Sequence, residues 1–321
     1  MTATTRVPAG AADIDAAVRT EALTRTFGEI TAVDTLTIAV RRGELFGLVG
    51  PDGAGKTTIL RMLAGVMRPT AGDAWIDGVS VVHDAERVKQ VIAYMPQRFG
   101  LYADLTVREN LDFYADLFEV PARDRPARYE RLFAFSSLGP FERRLAGKLS
   151  GGMKQKLALS CALVHQPGVL LLDEPTFGVD PISRRDLWLI VHEMVAQGVT
   201  VVVSTAYMDE AERFDRLALL HKGRVVALDA PQALEAAIAG TMLAVEADRP
   251  REARDLLRDH PAVRRATLFG DQLHVTLAEG RDAAVLRDAL AGAGLQVHAV
   301  DPLEPSLEDV FIARIGSVED R

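Results

Sequence analysis

The chain of 321 residues has one cysteine, two tryptophans and only 6% aromatic residues. A single thiol excludes any intrachain disulfide and suits a reducing compartment. Cys161 lies in the apolar run 157–164, so it reads as a small buried core residue and not as a reactive thiol. Long hydrophobic runs are also missing. The longest uncharged stretches, 157–172 and 194–208, are interrupted by His165-Gln166-Pro167-Gly168 and Gln197-Gly198. Both fall short of the ~20 apolar residues that a spanning helix needs. Residues 1–18 have no apolar core of signal-peptide type and read as a flexible tail. The expected location is the cytoplasm or the surface of a membrane.

A basic balance is absent too. The net charge is −8, and the doublets Arg41-Arg42, Arg143-Arg144 and Arg184-Arg185 are dispersed. General nucleic-acid binding, which needs clustered Lys and Arg, is not expected. What is present, 48% hydrophobic and 26% charged residues, is ordinary globular composition. The length suits about two domains. The texture changes after Asp229-Ala230-Pro231, and the expected domains are 19–235 and 236–321.

Residues 22–27 and 36–40 alternate polar and apolar side chains, as antiparallel strands do. The apolar run 44–49 ends in a glycine-rich turn, followed by an amphipathic helix over 56–67 with Pro69 beyond it. Another strand-turn-strand segment leads to 91–95. Helical periodicity dominates 106–148, and a mostly helical part is expected at about 100–160. The fully apolar runs 169–172 and 199–204 resemble central parallel strands. In the second domain, strands at 242–247, 263–269, 272–277 and 295–300 and helices at 251–259 and 281–291 give the order β-α-β-β-α-β, the ferredoxin-like motif. His274 and His298 there have no metal-ligand spacing with carboxylates and read as surface or strand residues.

Gly50-Pro51-Asp52-Gly53-Ala54-Gly55-Lys56-Thr57, followed by Thr58, fits G-x-x-x-x-G-K-[ST] between a strand and a helix. Its glycines let the backbone wrap a phosphate, and successive N–H groups at a helix N-terminus complement the negative charge. Lys56 reaches the β- and γ-phosphates, and the Thr57 hydroxyl suits Mg²⁺. A glycine-rich turn with an incidental lysine is the bland alternative. Val169-Leu170-Leu171-Leu172 then ends in Asp173-Glu174, which places two carboxylates at the C-terminal end of a central strand. Asp173 suits the Mg²⁺ shell and Glu174 the general base that polarises water. Alone this pair is a weak signal.

Leu149-Ser150-Gly151-Gly152-Met153-Lys154-Gln155 sets the family. Here the sequence closely resembles ABC-type ATPases, whose signature is LSGGQ; Met153 stands where the family has Gln. The resemblance covers roughly 20–230. It implies an α/β P-loop NTPase fold, with a RecA-like core, an antiparallel β subdomain and a helical signature subdomain, followed by the small α+β domain. It also implies that Ser150, Gly151 and Gly152 serve the γ-phosphate held by a second ATPase subunit. The local alternative is a helix N-cap. Further positions match the family. Gln97, in Tyr94-Met95-Pro96-Gln97, fits the glutamine loop linking the metal site to the membrane partner. Asp180, in Gly178-Val179-Asp180-Pro181, fits a loop contacting the opposite subunit. Phe27 sits where an aromatic stacks on adenine, although an aromatic at a strand end is commonly plain core.

One position departs from the pattern. The family's switch histidine is replaced by Ala206 in Ser204-Thr205-Ala206-Tyr207-Met208-Asp209-Glu210-Ala211-Glu212, so hydrolysis at this site is expected to be slow. The C-terminal segment Glu304-Pro305-Ser306-Leu307-Glu308-Asp309-Val310-Phe311-Ile312, like residues 97–107, is similar to the drug- and antibiotic-export ATPases of the ABC-2 type. The implied activity is Mg²⁺-dependent ATP hydrolysis at the cytoplasmic face of a membrane. It would power export of a drug, antibiotic or lipid-like cargo through a separate multi-spanning permease. The competing class is a soluble ABC ATPase acting on ribosomes or DNA, which usually carries two cassettes or coiled-coil insertions with basic surfaces. A P-loop kinase or GTPase leaves 149–155 and Gln97 unexplained.

Overall fold

The computed structural model describes residues 16–319, with side chains to residue 315. Of the expected tail 1–18, residues 1–15 lie outside the described residues, and 16–18 open the strand Ala16–Phe27. The chain forms two compact units, Met1–Leu228 and Asp229–Arg321, so the division falls ahead of the expected 236.

The first unit contains two sheets. One is antiparallel, built from Ala16–Phe27, Ile30–Leu36, Ala39–Arg41, Ala71–Ile76 and Val79–Ser80. The expected strand over 36–40 is broken, because Leu36 closes one strand and Ala39 opens the next. The other sheet runs in the order Arg224–Asp229, Arg216–His221, Leu45–Val49, Thr200–Thr205, Val169–Asp173, Ile92–Met95. Its last five strands are parallel neighbours. Leu45–Val49, Val169–Asp173 and Thr200–Thr205 are buried along their whole length. Strands covered on both faces read as unbroken apolar runs, which is why these were visible in the sequence.

The helix after the glycine-rich turn is Lys56–Leu63, shorter than the expected 56–67. Gly65 at φ +66° turns the chain out of the helix, and the N–H groups of Val66 and Met67 both close onto the Arg61 carbonyl. In the mostly helical part, Val107–Leu117 starts with a full capping box between Thr106 and Glu109. Arg125–Ser136 and Gly151–Leu163 follow, and short 3₁₀ turns at Gly139–Phe141 and Ala146–Lys148 replace the expected helix there. Cys161 is buried in Gly151–Leu163, and burial pushes its thiol up, well away from reactivity. No helix among the described residues is long and apolar enough to cross a membrane.

The second unit is an antiparallel sheet in the order Val263–Phe269, Gln272–Leu277, Met242–Ala247, Val297–Pro302. Helices Pro250–Arg258 and Ala284–Gly292 contribute Ala253, Leu257, Leu286 and Leu290 to its core. Counted along the unit, the strand order is 2-3-1-4, as the β-α-β-β-α-β reading requires. His274 is a strand residue, as expected, and it is also tied to a carboxylate: Nδ1 lies 2.8 Å from Asp309 Oδ1. Asp309 in turn accepts from the Ser306 hydroxyl at 2.7 Å at the start of helix Leu307–Glu319. The pair links residues far apart in sequence, so spacing alone could not reveal it.

Candidate functional site

The C-terminal ends of the parallel strands and the turn after Leu45–Val49 surround a cleft of about 410 Å³, lined by Ala32, Asp52, Gly53, Ala54, Gly55, Lys56, Thr57, Thr58, Gln97 and Glu174. Seven of the expected cradle positions therefore share one cleft with Gln97 and Glu174. Gly50 and Pro51 form its base: Lys56 Nζ donates to their carbonyls at 2.7 and 3.1 Å. Two glycines are obligatory. A Cβ on Gly50 would collide with the Leu220 carbonyl, and one on Gly55, at φ +102°, with that of Ala32. Gly55 precedes the helix without any side-chain cap, so the first N–H groups of Lys56–Leu63 stay available to an anion.

The carboxylates belong to the same site. Lys56 Nζ lies 3.3 Å from Glu174 Oε1, and Gln97 Nε2 donates to Glu174 Oε2 at 2.9 Å. Thr57 Oγ1 donates to Asp173 Oδ1 at 3.0 Å. Gln97 thus contacts the expected base Glu174, while the hydroxyl–carboxylate pair is Thr57–Asp173. This hydroxyl and carboxylate supply the hard oxygen donors that Mg²⁺ prefers, beside open backbone N–H groups, so the residues present fit a Mg²⁺–nucleotide. Glu174 has φ +48°, a left-handed conformation that costs a residue with a Cβ about 1–3 kcal/mol.

Two residues here were missed by sequence reasoning. The Tyr94 hydroxyl lies 3.4 Å from Asp173 Oδ2, and burial, reinforced by that carboxylate, pushes its pKa up to about 12. Ser204 bonds both acidic residues. Its signal was a hydroxyl closing an otherwise apolar run, which also fits plain core.

The signature segment 149–153 does not line this cleft. Ser150 caps Gly151–Leu163, its Oγ accepting from the Met153 N–H at 3.3 Å. Leu149 is buried. Gly151 has open space, whereas a Cβ on Gly152 would collide with Ser183. Gly152 therefore has a packing reason within its own chain. Asp180 caps Pro181–Ala196 and accepts from Ser183 N–H at 3.0 Å; that bond holds its carboxyl below the usual range. Phe27 is 43% exposed, with the Arg25 guanidinium 4.5 Å from its ring centroid, so it is not a core residue.

Ala206 is exposed on the turn after Thr200–Thr205. The turn is braced from within. Thr205 Oγ1 donates to buried Glu210 at 2.7 Å and accepts from Tyr207 N–H at 3.0 Å, and Trp188 Nε1 donates to Glu210 at 3.3 Å. The Tyr207 ring lies 4.8 Å from the Arg184 guanidinium, so that cation already engages it.

A phosphate-wrapping turn between a parallel strand and a helix, facing an acidic strand end, defines a P-loop nucleotide-binding protein. The comparisons narrow the class. The ABC transporter family matches residues 33–177, and the ATP-binding protein DrrA1-3-like C-terminal domain matches 230–315. The Nod factor export ATP-binding protein I of Burkholderia lata is 38% identical over 297 residues, covering 90% of this chain and 94% of that protein. The daunorubicin resistance ATP-binding protein DrrA2 of Streptomyces coeruleorubidus is 33% identical over 306 residues, covering 94% and 95%. The chain belongs to the ATP-binding proteins of the ABC transporter family. It is also 43% identical over 287 residues to the "Probable multidrug ABC transporter ATP-binding protein YbhF" of Escherichia coli K12, but spans only 49% of that longer protein. Among solved structures, an ATP-binding subunit of an ABC transporter matches at TM-score 0.63 and 29% identity, over 68% of this chain and 92% of that one. The dimeric ATP-binding cassette MJ0796 bound to ADP and Pi matches at TM-score 0.61 and 26% identity, over 66% and 98%.

Proposed function

We propose that this chain is the ATP-binding and hydrolysing subunit of an ABC-2 type exporter. It pairs with a second ATPase subunit and drives a separate multi-spanning permease from the cytoplasmic face of the membrane. The observation that carries the reading is the meeting of Lys56, Thr57, Gln97 and Glu174 in one cleft, with Asp173 bonded to Thr57. The printed names of the relatives, which speak of multidrug transport, Nod factor export and daunorubicin resistance, support export.

In this reading residues 50–58 hold the triphosphate, and Phe27 offers its ring face to the base. Thr57 and Asp173, with Gln97, would hold Mg²⁺, which when bound neutralises charge on the β- and γ-phosphates. Glu174 takes a proton from the attacking water, while Ser150 of a second subunit, with its neighbouring N–H groups, stabilises the γ-phosphate. Asp180 faces the opposite subunit. Gln97 also lines a second cleft, of about 330 Å³, with Arg98, Phe99, Leu101, Ala103 and Lys154. It is thereby the side chain common to the hydrolytic cleft and the 97–107 segment assigned to permease contact.

Ala206 cannot donate a hydrogen bond to the γ-phosphate, so the site on this chain is slow. The natural partner is then an ATPase subunit with an intact site. The test is Mg²⁺-dependent ATPase activity of the purified chain and of Ala206→His, together with the proteins that co-purify. A rise of about 10²-fold for Ala206→His, and recovery of a multi-spanning membrane protein, are expected. Fast turnover unchanged by the substitution would remove the slow-site assignment. Recovery of ribosomes or DNA instead would favour the soluble ABC class.

A further inference from the structure

Ser204 lies on Thr200–Thr205, directly opposite Asp173 on the neighbouring parallel strand. Its side chain is fully buried and makes two bonds of opposite sense. Ser204 Oγ donates to Asp173 Oδ1 at 2.7 Å, the same oxygen that accepts from Thr57 Oγ1. It also accepts from the Glu174 N–H at 3.0 Å. That N–H lies 3.2 Å from the Ser204 carbonyl as well, so one residue supplies both of its acceptors.

These bonds fall on the two features of the acidic strand end that do not maintain themselves. Asp173 is buried, and its carboxylate has to keep one rotamer for one face to meet a hydroxyl donor. Glu174 sits at φ +48°, a conformation that persists only where the surroundings dictate it. A hydroxyl can donate and accept at once, so Ser204 satisfies both. Alanine or valine there would leave Asp173 Oδ1 with Thr57 Oγ1 alone and the Glu174 N–H with the backbone carbonyl of residue 204 alone, each one partner fewer.

We propose that Ser204 is a positioning residue of the hydrolytic site, setting through one hydroxyl the orientation of Asp173 toward the metal position and the aim of Glu174 at water. This rests on the ATPase reading given above. Ser204 touches no nucleotide in this assignment. It acts through the carboxylates, as an outer hydrogen-bond partner orients a metal ligand.

The experiment compares wild type, Ser204→Ala and Ser204→Thr, each first checked for folding by thermal unfolding. It reads ATP affinity in EDTA, Mn²⁺ affinity of the ADP complex by electron paramagnetic resonance, and kcat. Ser204→Ala is expected to keep metal-free ATP affinity within about two-fold while Mn²⁺ affinity and kcat each fall at least ten-fold, in the range typical for lost outer partners. Ser204→Thr, which keeps the hydroxyl, restores both. Should Ser204→Thr not fold, the split in Ser204→Ala between metal-free affinity and Mn²⁺ affinity decides. Wild-type Mn²⁺ affinity and kcat in Ser204→Ala overturn the proposal. So does an equal loss of metal-free ATP affinity, which marks a merely structural hydroxyl. Absence of metal-dependent ATPase activity from both the wild-type chain and its Ala206→His variant overturns the ATPase reading itself, a separate outcome.

Discussion

Two glycine-rich turns open helices in the first unit, and they treat the helix N-terminus in opposite ways. At residues 50–55 the turn ends on Gly55 in a left-handed conformation, and no side chain caps Lys56–Leu63. At residues 149–152 the turn ends on Ser150, whose hydroxyl closes Gly151–Leu163 by accepting from Met153 N–H. The first leaves its N–H groups to a ligand, and Lys56 folds over them. The second satisfies part of itself and keeps only the Ser150 O–H proton and the remaining N–H groups for outside use. In the proposed reading, the first turn is a half-site within the chain, and the second contributes when a second subunit brings a phosphate to it.

Substitutions can break this contrast. The largest effect is expected for Lys56→Ala, which removes the ammonium group held against the first turn. ATP binding should weaken at least ten-fold and turnover fall by about 10²–10³, read by nucleotide titration and phosphate release. At the second turn, Ser150→Ala should cost about 1 kcal/mol of stability through the lost cap and about 10²-fold in turnover. Ser150→Asp sharpens the contrast. Aspartate is a good cap, so thermal stability should stay near wild type, while its charge opposes the γ-phosphate and abolishes turnover. A variant that keeps its turnover would reduce Ser150 to an ordinary cap.

Gly152→Ala probes packing alone. The added methyl group meets Ser183 and should destabilise by about 1–3 kcal/mol, and Ser183→Gly in the same chain should recover most of that loss. The smallest effect lies outside both turns. His165 stacks on Phe118 at 3.8 Å, and burial holds its imidazole below the ordinary 6.5. The fold favours the neutral ring, so its stabilising contribution is complete above pH 6.5 and is lost as the pH falls through the lower folded value. His165→Phe should flatten the stability profile below pH 6.5 and leave ATP binding unchanged.

How much of this was legible in the sequence depends on where the determining contact lies. Strands Met242–Ala247, Val263–Phe269 and Gln272–Leu277 have the expected boundaries, because alternation and the Gly270-Asp271 turn are local signals. The helix expected to reach residue 67 stops at Leu63, since the φ of Gly65 is decided by the chain it must meet. The cradle 50–58 was readable because its chemistry lies in consecutive residues. Ser204 was not, because its bonds run sideways across a sheet to residues about thirty positions away. Gly152 was read only as part of a phosphate nest; its contact with Ser183 joins two helices and leaves no trace in spacing. His274 and Asp309 were missed for the same reason.

The account depends on both turns meeting one nucleotide from different subunits. The most direct measurement is a structure of the Glu174→Gln variant with Mg²⁺ and ATP. The predicted result places Ser150 of one subunit at a hydrogen-bond distance of about 3 Å from the γ-phosphate held by Lys56 of the other. A triphosphate bound at Lys56 with Ser150 facing solvent in every subunit would contradict it.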